Sequence, residues 1–488
     1  MKASFSGCPI LRPSIAAGTA RGVPFRVVAV VSATFLLAVA TTTRAQTYTP
    51  LFNFNGSEPS DLTLSGSNFY GTTTYGGGHS DGMVFQIVTN GTGFTPLYSF
   101  SGGNDDGSNP RGAPMLSGST LYGTTSSGGN SYGDGTVFEI NTNGTNYAIL
   151  YSFVPWEGQS PYGALAVSGT KLFGVTTAGN GALFSINSNG SGFTNLHVFG
   201  GSITSIVGSV TNVFFLDGTS PNGSLALSGS TLYGTTTYGG TNNYGTVFSI
   251  NTDGSGYSIL HNFSSEPGDG YNPYSPLILS GSTLYGTTAG GGRSNGTVFQ
   301  INTNGTGFAV LYGFGLVAAD GYAPYGPLTL SGSTLYGTTT YGGSNSYGTV
   351  FQINTDGTGY QILYNFLSSN SGNPNGSLIL ADSTLCGIAG NFLFSLTVPT
   401  PPITPTSSPF YVTSIVPQGY DILITWTSGI GSTNALQATA GDASGGYNTN
   451  NFADIFIVTN TVGAVTNYLD AGALTNFTSR YYRVQLVP

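Results

Sequence analysis

Five acids recur in one short pattern, acid-Gly-x-x-Pro, at Asp106 to Pro110, Glu157 to Pro161, Asp217 to Pro221, Asp269 to Pro273 and Asp320 to Pro324. Two chemistries suit that pattern. An Asp before Gly commonly accepts backbone N–H bonds within a turn, and the Pro then sets the start of a strand. Carboxylates and carbonyls also hold hard cations, which makes Asp106, Asp217, Asp269 and Asp320 candidate ligands for Ca2+. No loop has the dense Asp-x-Asp-x-Asp-Gly spacing of a dedicated calcium loop, and a residue repeated from unit to unit is usually architecture. Apart from Ca2+, nothing in the sequence asks for a cofactor.

Aromatic residues crowd the same segments. Tyr75, Tyr238 and Tyr341 each follow Thr-Thr-Thr, while Trp156, Tyr162, Tyr271, Tyr274, Tyr322 and Tyr325 lie in or beside the acidic pattern. Tyr and Trp offer a flat apolar face with a polar edge, which suits sugar rings and protein partners and also suits packing between repeats. Trp156 and Tyr271 are not repeated in every unit, so they stand out as ligand contacts. His197 and His261 fall in a column that elsewhere holds Phe52, Tyr98, Tyr151, Tyr312 and Tyr364, so they read as packing positions; Cys386 likewise fills a Tyr or Phe slot. No nucleophile elbow, zinc spacing or phosphate loop is present. A carboxylate pair for glycoside hydrolysis stays open as an alternative, with no pair singled out.

The elements that carry these residues repeat. The phrase Leu-Ser-Gly-Ser-Thr-Leu-Tyr-Gly-Thr-Thr-Thr at Leu330 to Thr340 recurs so that its second glycine falls at Gly71, Gly123, Gly174, Gly234, Gly286, Gly337 and Gly387, in steps of 52, 51, 60, 52, 51 and 50 residues. Each unit holds four strand candidates, A to D; in the sixth they are Pro327 to Leu330, Thr334 to Thr339, Thr349 to Asn354 and Tyr360 to Phe366. Four-stranded units about 50 residues apart predict the blades of a propeller. Strand D occurs six times after strand C, and a seventh copy, Tyr48 to Phe54, stands at the front of the repeats. The last repeat lacks a D strand. The prediction is therefore an all-β, seven-bladed β-propeller closed by an N-terminal strand, followed by a small β-sandwich.

The motifs Leu-Ser-Gly-Ser-Thr-Leu-Tyr-Gly-Thr-Thr-Thr-Tyr-Gly-Gly and Tyr-Gly-Thr-Val-Phe-Gln-Ile-Asn-Thr-Asp-Gly-Thr-Gly-Tyr resemble the GloVer tandem repeat of secreted bacterial proteins, over roughly residues 48 to 397. That resemblance implies an extracellular repeat protein, often joined to a C-terminal attachment device, and implies no particular activity. Beyond a Pro/Thr/Ser linker at 399–408, residues 409–488, with Trp426 midway and Arg-Tyr-Tyr-Arg-Val near the end, resemble a fibronectin type III-like sandwich.

Residues 1–45 read as a signal peptide: Lys2, Arg12, Arg21 and Arg26 precede an apolar run from Val27 to Ala40 that is short for a membrane span. The segment holds five of the ten basic residues and none of the nineteen acids, so its removal leaves a net charge of −14. A surface that acidic argues against nucleic acid as a partner. No stable membrane span is expected once the signal is gone. The propeller is assigned residues 46–398, with its loops D to A and B to C forming one variable, acidic, Tyr-rich face. The function expected is secreted, noncatalytic binding or adhesion to polysaccharide or a cell-surface protein. The alternatives are a propeller glycoside hydrolase or lyase and a structural cell-surface component.

Overall fold

The computed structural model describes residues 46–398, except 208–209, 267, 292–294, 318, 369–371 and 382, together with the strands between 412 and 487 as backbone. The signal-peptide assignment at 1–45 and the linker at 399–408 lie outside the described residues. No described residue is helical. Seven sheets, each of four strands or, in one case, five, follow one another along the chain, and they form a seven-bladed β-propeller.

Blade 1 consists of Pro59–Ser65, Asn68–Thr73, Met83–Val88 and Thr95–Ser99; blade 4 consists of Thr219–Ser228, Thr231–Tyr238, Thr246–Asn251 and Ser258–Asn262. Within every blade neighbouring strands are antiparallel. Blade 7 is completed from the other end of the ring: Tyr48–Asn53 pairs with Phe392–Thr397, in a register that sets Tyr48 against Leu396 and Asn53 against Phe392. The closing strand expected from the sequence is therefore in place, and no blade is left with an unpaired outer edge on Phe392–Thr397.

The repeated glycine has one job in all seven blades. It lies on strand B directly opposite a bulky residue of strand C, as Gly234 faces Phe248 and Gly337 faces Phe351. A methyl group on Gly234 would come within 2.6 Å of the Phe248 ring, so only hydrogen leaves room for that ring to lie across the strand. Phe85, Phe138, Phe184, Phe248, Phe299 and Phe351 are all fully buried, each in the cluster that joins one blade to the next.

Outer strands are joined by ring stacking. Seven face-to-face pairs run round the ring: Phe52–Phe94, Tyr98–Tyr147, Tyr151–Phe193, His197–Tyr257, His261–Phe308, Tyr312–Tyr360 and Tyr48–Tyr364, with centroids 3.6 to 4.6 Å apart and planes within 17°. Each interface has one. The closing strand supplies a ring to both interfaces of blade 7, through Phe52 and Tyr48.

The 60-residue step is accounted for by an insert between blades 3 and 4. Ser202–Val207 and Val210–Phe215 pair as a β-hairpin between blades 3 and 4. The C-terminal strands form two three-stranded sheets: Val412–Gln418, Asp421–Ser428 and Ala464–Asp470, and Ala453–Thr459, Thr433–Ala440 and Arg480–Val487, with Asp421–Ser428 and Thr433–Ala440 central.

Candidate functional site

The acids of the repeated pattern are consumed by structure. Asp106 accepts from the hydroxyls of Tyr98 (2.9 Å) and Tyr147 (2.7 Å) and from the N–H groups of Ser101 and Gly107, both at 2.8 Å. Asp320 repeats this with Tyr312 (2.9 Å), Tyr360 (2.6 Å), Gly315 and Gly321. One carboxylate thus holds the outer strands of two adjacent blades. Burial, reinforced by the bond to Asp106, pushes the Tyr98 phenol up to about 12. Where the outer-strand Tyr becomes His, the pairing persists: His197 Nε2 lies 3.1 Å from Asp217, and His261 Nε2 3.2 Å from Asp269. Tyr151 donates to Glu157 in the same way.

These contacts favour the turn reading of Asp106, Asp217, Asp269 and Asp320 over their reading as Ca2+ ligands. A cation needs a shell of oxygen acceptors, whereas these carboxylates meet N–H and O–H donors. Among the described residues, no group of three or more His, Cys, Asp or Glu side chains could hold a metal. His197 also serves packing rather than metal binding. Burial lowers its pKa, with Asp217 pulling the other way, so the neutral ring stacks on Tyr257.

The aromatic candidates are arranged by an irregularity in the innermost strands. Strand A pairs with strand B on either side of a bulge: Pro161 and Tyr162 oppose Thr176 and Val175, then Ala166 opposes Phe173. Blade 4 has the same shift between Asn222 and Ala226, and blade 2 splits its inner strand into Gly107–Pro110 and Met115–Ser117. The ladder breaks at or just after the residue that follows each Pro. In successive blades these residues are Arg111, Tyr162, Asn222, Tyr274, Tyr325 and Asn375, with Ser60 in the shorter bulge of blade 1. Neighbouring bulges press together, since a Cβ on Gly163 would meet the Gly223 backbone at 2.8 Å.

Two adjoining hollows of about 260 Å3 each open at this inner rim. The first is lined by Tyr162, Thr177, Ser220, Asn222, Thr237, Tyr238 and Tyr274. The second is lined by Thr237, Tyr238, Tyr271, Asn272, Tyr274, Ala289, Gly290 and Tyr325. Blades 3 to 6 contribute side chains, from both the D to A and the B to C segments, which therefore share a face. Tyr274 meets Tyr325 edge to face at 5.3 Å. Tyr271 lies over Gly290, where the ring leaves no space for a Cβ. Burial, then the neighbouring phenols of Tyr341, Tyr274 and Tyr238, push the pKa of Tyr325 up. Tyr341 in turn stacks on Tyr322 at 5.4 Å.

Seven of the nine aromatic candidates therefore adjoin one another: Tyr162, Tyr238, Tyr271, Tyr274, Tyr325, Tyr341 and Tyr322. Two stand apart. Tyr75 is exposed on blade 1, and Trp156, 71% exposed, has Tyr132 as its edge-on neighbour at 5.7 Å. Asp61, on the strand Pro59–Ser65 of blade 1, is half-buried and accepts from Ser377 N–H at 2.5 Å across the ring closure. Burial raises its pKa. The polar residues Ser220, Asn222, Asn272, Thr177 and Thr237 went unnoticed in the sequence. Their signal was positional, the residues flanking each Pro and the last Thr of each Thr-Thr-Thr, and repetition disguised it as architecture.

Residues 34–213 and 203–392 match the Gloeobacter/Verrucomicrobia repeat. No curated protein matches the chain. Among solved structures it is similar to an oligogalacturonate lyase in complex with manganese, at 14% identity over 73% of this chain and 91% of that one, with a TM-score of 0.46. It is also similar to a Bacteroides uniformis protein described as a candidate 6-phosphogluconolactonase, at 14% identity over 81% and 97% of the two chains, with a TM-score of 0.43. Neither likeness carries a function across at that distance. The matched repeats span most of the ring, and the chain belongs to the Gloeobacter/Verrucomicrobia repeat family.

Proposed function

We propose that this propeller is an exported, noncatalytic binding protein that recognises polysaccharide or a cell-surface protein through the aromatic rim of its variable face. One observation carries the reading: tyrosines from four blades converge on two adjoining hollows that no carboxylate lines, while the acids of the repeated pattern are held by phenol, imidazole and N–H donors. Glycoside hydrolysis needs two carboxyl groups flanking the bond, and the hollows offer none. Export rests on the N-terminal segment, and the C-terminal strands fit a fibronectin type III-like spacer or attachment module.

A glycan and polysaccharide array probed with the full chain, with and without Ca2+, tests the proposal, alongside release of reducing ends from every polymer bound. Retention without product, unchanged by Ca2+, is the expected result. Turnover of any polymer would replace binding by catalysis. Silence towards glycans and towards surface proteins would leave a structural surface component as the better account.

A further inference from the structure

At the aromatic rim the repeats differ in how one threonine is satisfied. The third Thr of the Thr-Thr-Thr phrase donates its hydroxyl to a backbone carbonyl in other blades, as Thr177 does to Ser160 (3.1 Å) and Thr340 to Pro374 (2.9 Å). In blade 4 the equivalent Thr237 is 4% exposed, and its Oγ1 has no partner. A buried hydroxyl without a partner is unfavourable, because it has given up water and gained nothing in exchange. This one lies in the wall shared by the two hollows, together with Tyr238 and Tyr274. In the next blade the corresponding residue is Ala289, and Gly290 follows where Tyr238 would recur, which opens the space Tyr271 occupies.

Each hollow, at about 260 Å3, falls just short of the usual small-molecule site of roughly 300 Å3 upward, whereas the two joined reach it. Their walls are Tyr faces with hydroxyl and amide groups between them, and no ionised side chain is among the lining residues. Burial and the neighbouring Tyr274 raise the pKa of Tyr162, with Arg111 opposing, so that phenol keeps its proton and can donate. Flat apolar walls with scattered neutral donors and acceptors complement a sugar ring. The acidity of the chain as a whole disfavours a polyanion.

We propose that the two hollows are consecutive subsites for adjacent rings of a neutral glycan, with Tyr274 and Tyr238 between the two rings and the Thr237 hydroxyl hydrogen-bonded to the ligand. The proposal rests on the binding reading above and narrows it to one ligand class and one place.

The test is calorimetric titration of the full chain with neutral gluco-, xylo- and manno-oligosaccharides of one to four units. Thr237→Val removes the hydroxyl while keeping the shape, Tyr274→Ala removes the shared wall, and Trp156→Ala is a control outside the hollows; melting temperatures confirm that each variant is folded. For at least one series, affinity is expected to rise steeply from one unit to two and little thereafter. Thr237→Val should weaken the dimer roughly three- to tenfold, as the loss of one hydrogen bond does. Tyr274→Ala should weaken it more, and Trp156→Ala should not change it. Binding that ignores both Thr237→Val and Tyr274→Ala would overturn the subsites while leaving glycan binding elsewhere on the face intact. Failure of every neutral series would overturn the ligand class, and retention of anionic polymers on the array would then show that the broader reading survives.

Discussion

Tyr98 and Tyr147 lie face to face with centroids 3.6 Å apart, and both hydroxyls donate to the single carboxylate of Asp106. The two rings belong to the outer strands of adjacent blades, so one buried acid sets both the spacing and the tilt of an interface. Removing it leaves two phenols and two N–H groups without acceptors. Asp106→Ala should cost about 2 to 4 kcal/mol, the range for breaking a buried charged network, measured by denaturant unfolding. Neither Ca2+ nor a chelator should move the melting temperature of the parent protein.

The glycine of the repeated phrase makes a second prediction. Gly234→Ala drives a methyl group against Phe248 and should destabilise by about 1 to 3 kcal/mol, as overpacking does. Shrinking the opposing ring tests the cause. Gly234→Ala combined with Phe248→Leu should be less unstable than the two single losses added together, a coupling that a double-mutant cycle reads directly.

Stability should fall at both ends of the pH scale, for reasons that the named groups separate. His197 has a lowered pKa in the folded state, so protons bind more readily to the unfolded chain and stability drops as pH falls below about 6.5. Burial alone would raise Asp269, but His261, Gly270 N–H and Ser264 together hold it below the ordinary carboxylate value, so its contribution is lost as pH falls through that lowered folded value. Tyr48 and Tyr98, both pushed up to about 12, keep their protons when the unfolded chain loses them. Stability should therefore decline as pH rises above about 10, and tyrosinate absorbance should appear together with unfolding. His197→Phe should remove part of the acid-side slope and leave the alkaline side unchanged.

Cys386 is buried among Phe54, Leu62, Phe85 and Leu393, and burial pushes its thiol up to about 11. The thiolate is the reactive form. Iodoacetamide near pH 8 should leave the native protein unlabelled while labelling the urea-unfolded chain, as mass spectrometry would show.

What the sequence reveals is whatever repeats. The ring, its closure by Tyr48–Asn53 and the division of loops between two faces follow from counting strands and comparing loop lengths. The packing role of His197 and His261 follows from their column. The aim of Tyr162, Tyr274 and Tyr325 does not, because it depends on a bulge visible only when Pro161 pairs with Thr176 and Ala166 with Phe173. The fate of the acids is equally hidden, since Asp106 reaches Tyr147 across a blade interface rather than along the chain. Trp156 is unrepeated yet stands apart, whereas the convergent rim is built mostly from residues that do repeat, and it gains its individuality from Thr237, Tyr271 and Gly290.

The pairing of Tyr48 with Leu396 joins the first strand of the ring to the last one synthesised. A polypeptide emerging from its N-terminus holds Tyr48–Asn53 ready from the start, but the strand's partner arrives only when nearly the whole ring has been made. The contact order of that pairing is about as high as the ring permits, and such contacts form late because loop-closure entropy is paid first. Folding should therefore end in one slow sealing step, before which a nascent ring exposes a sheet edge at each end and is most vulnerable to aggregation.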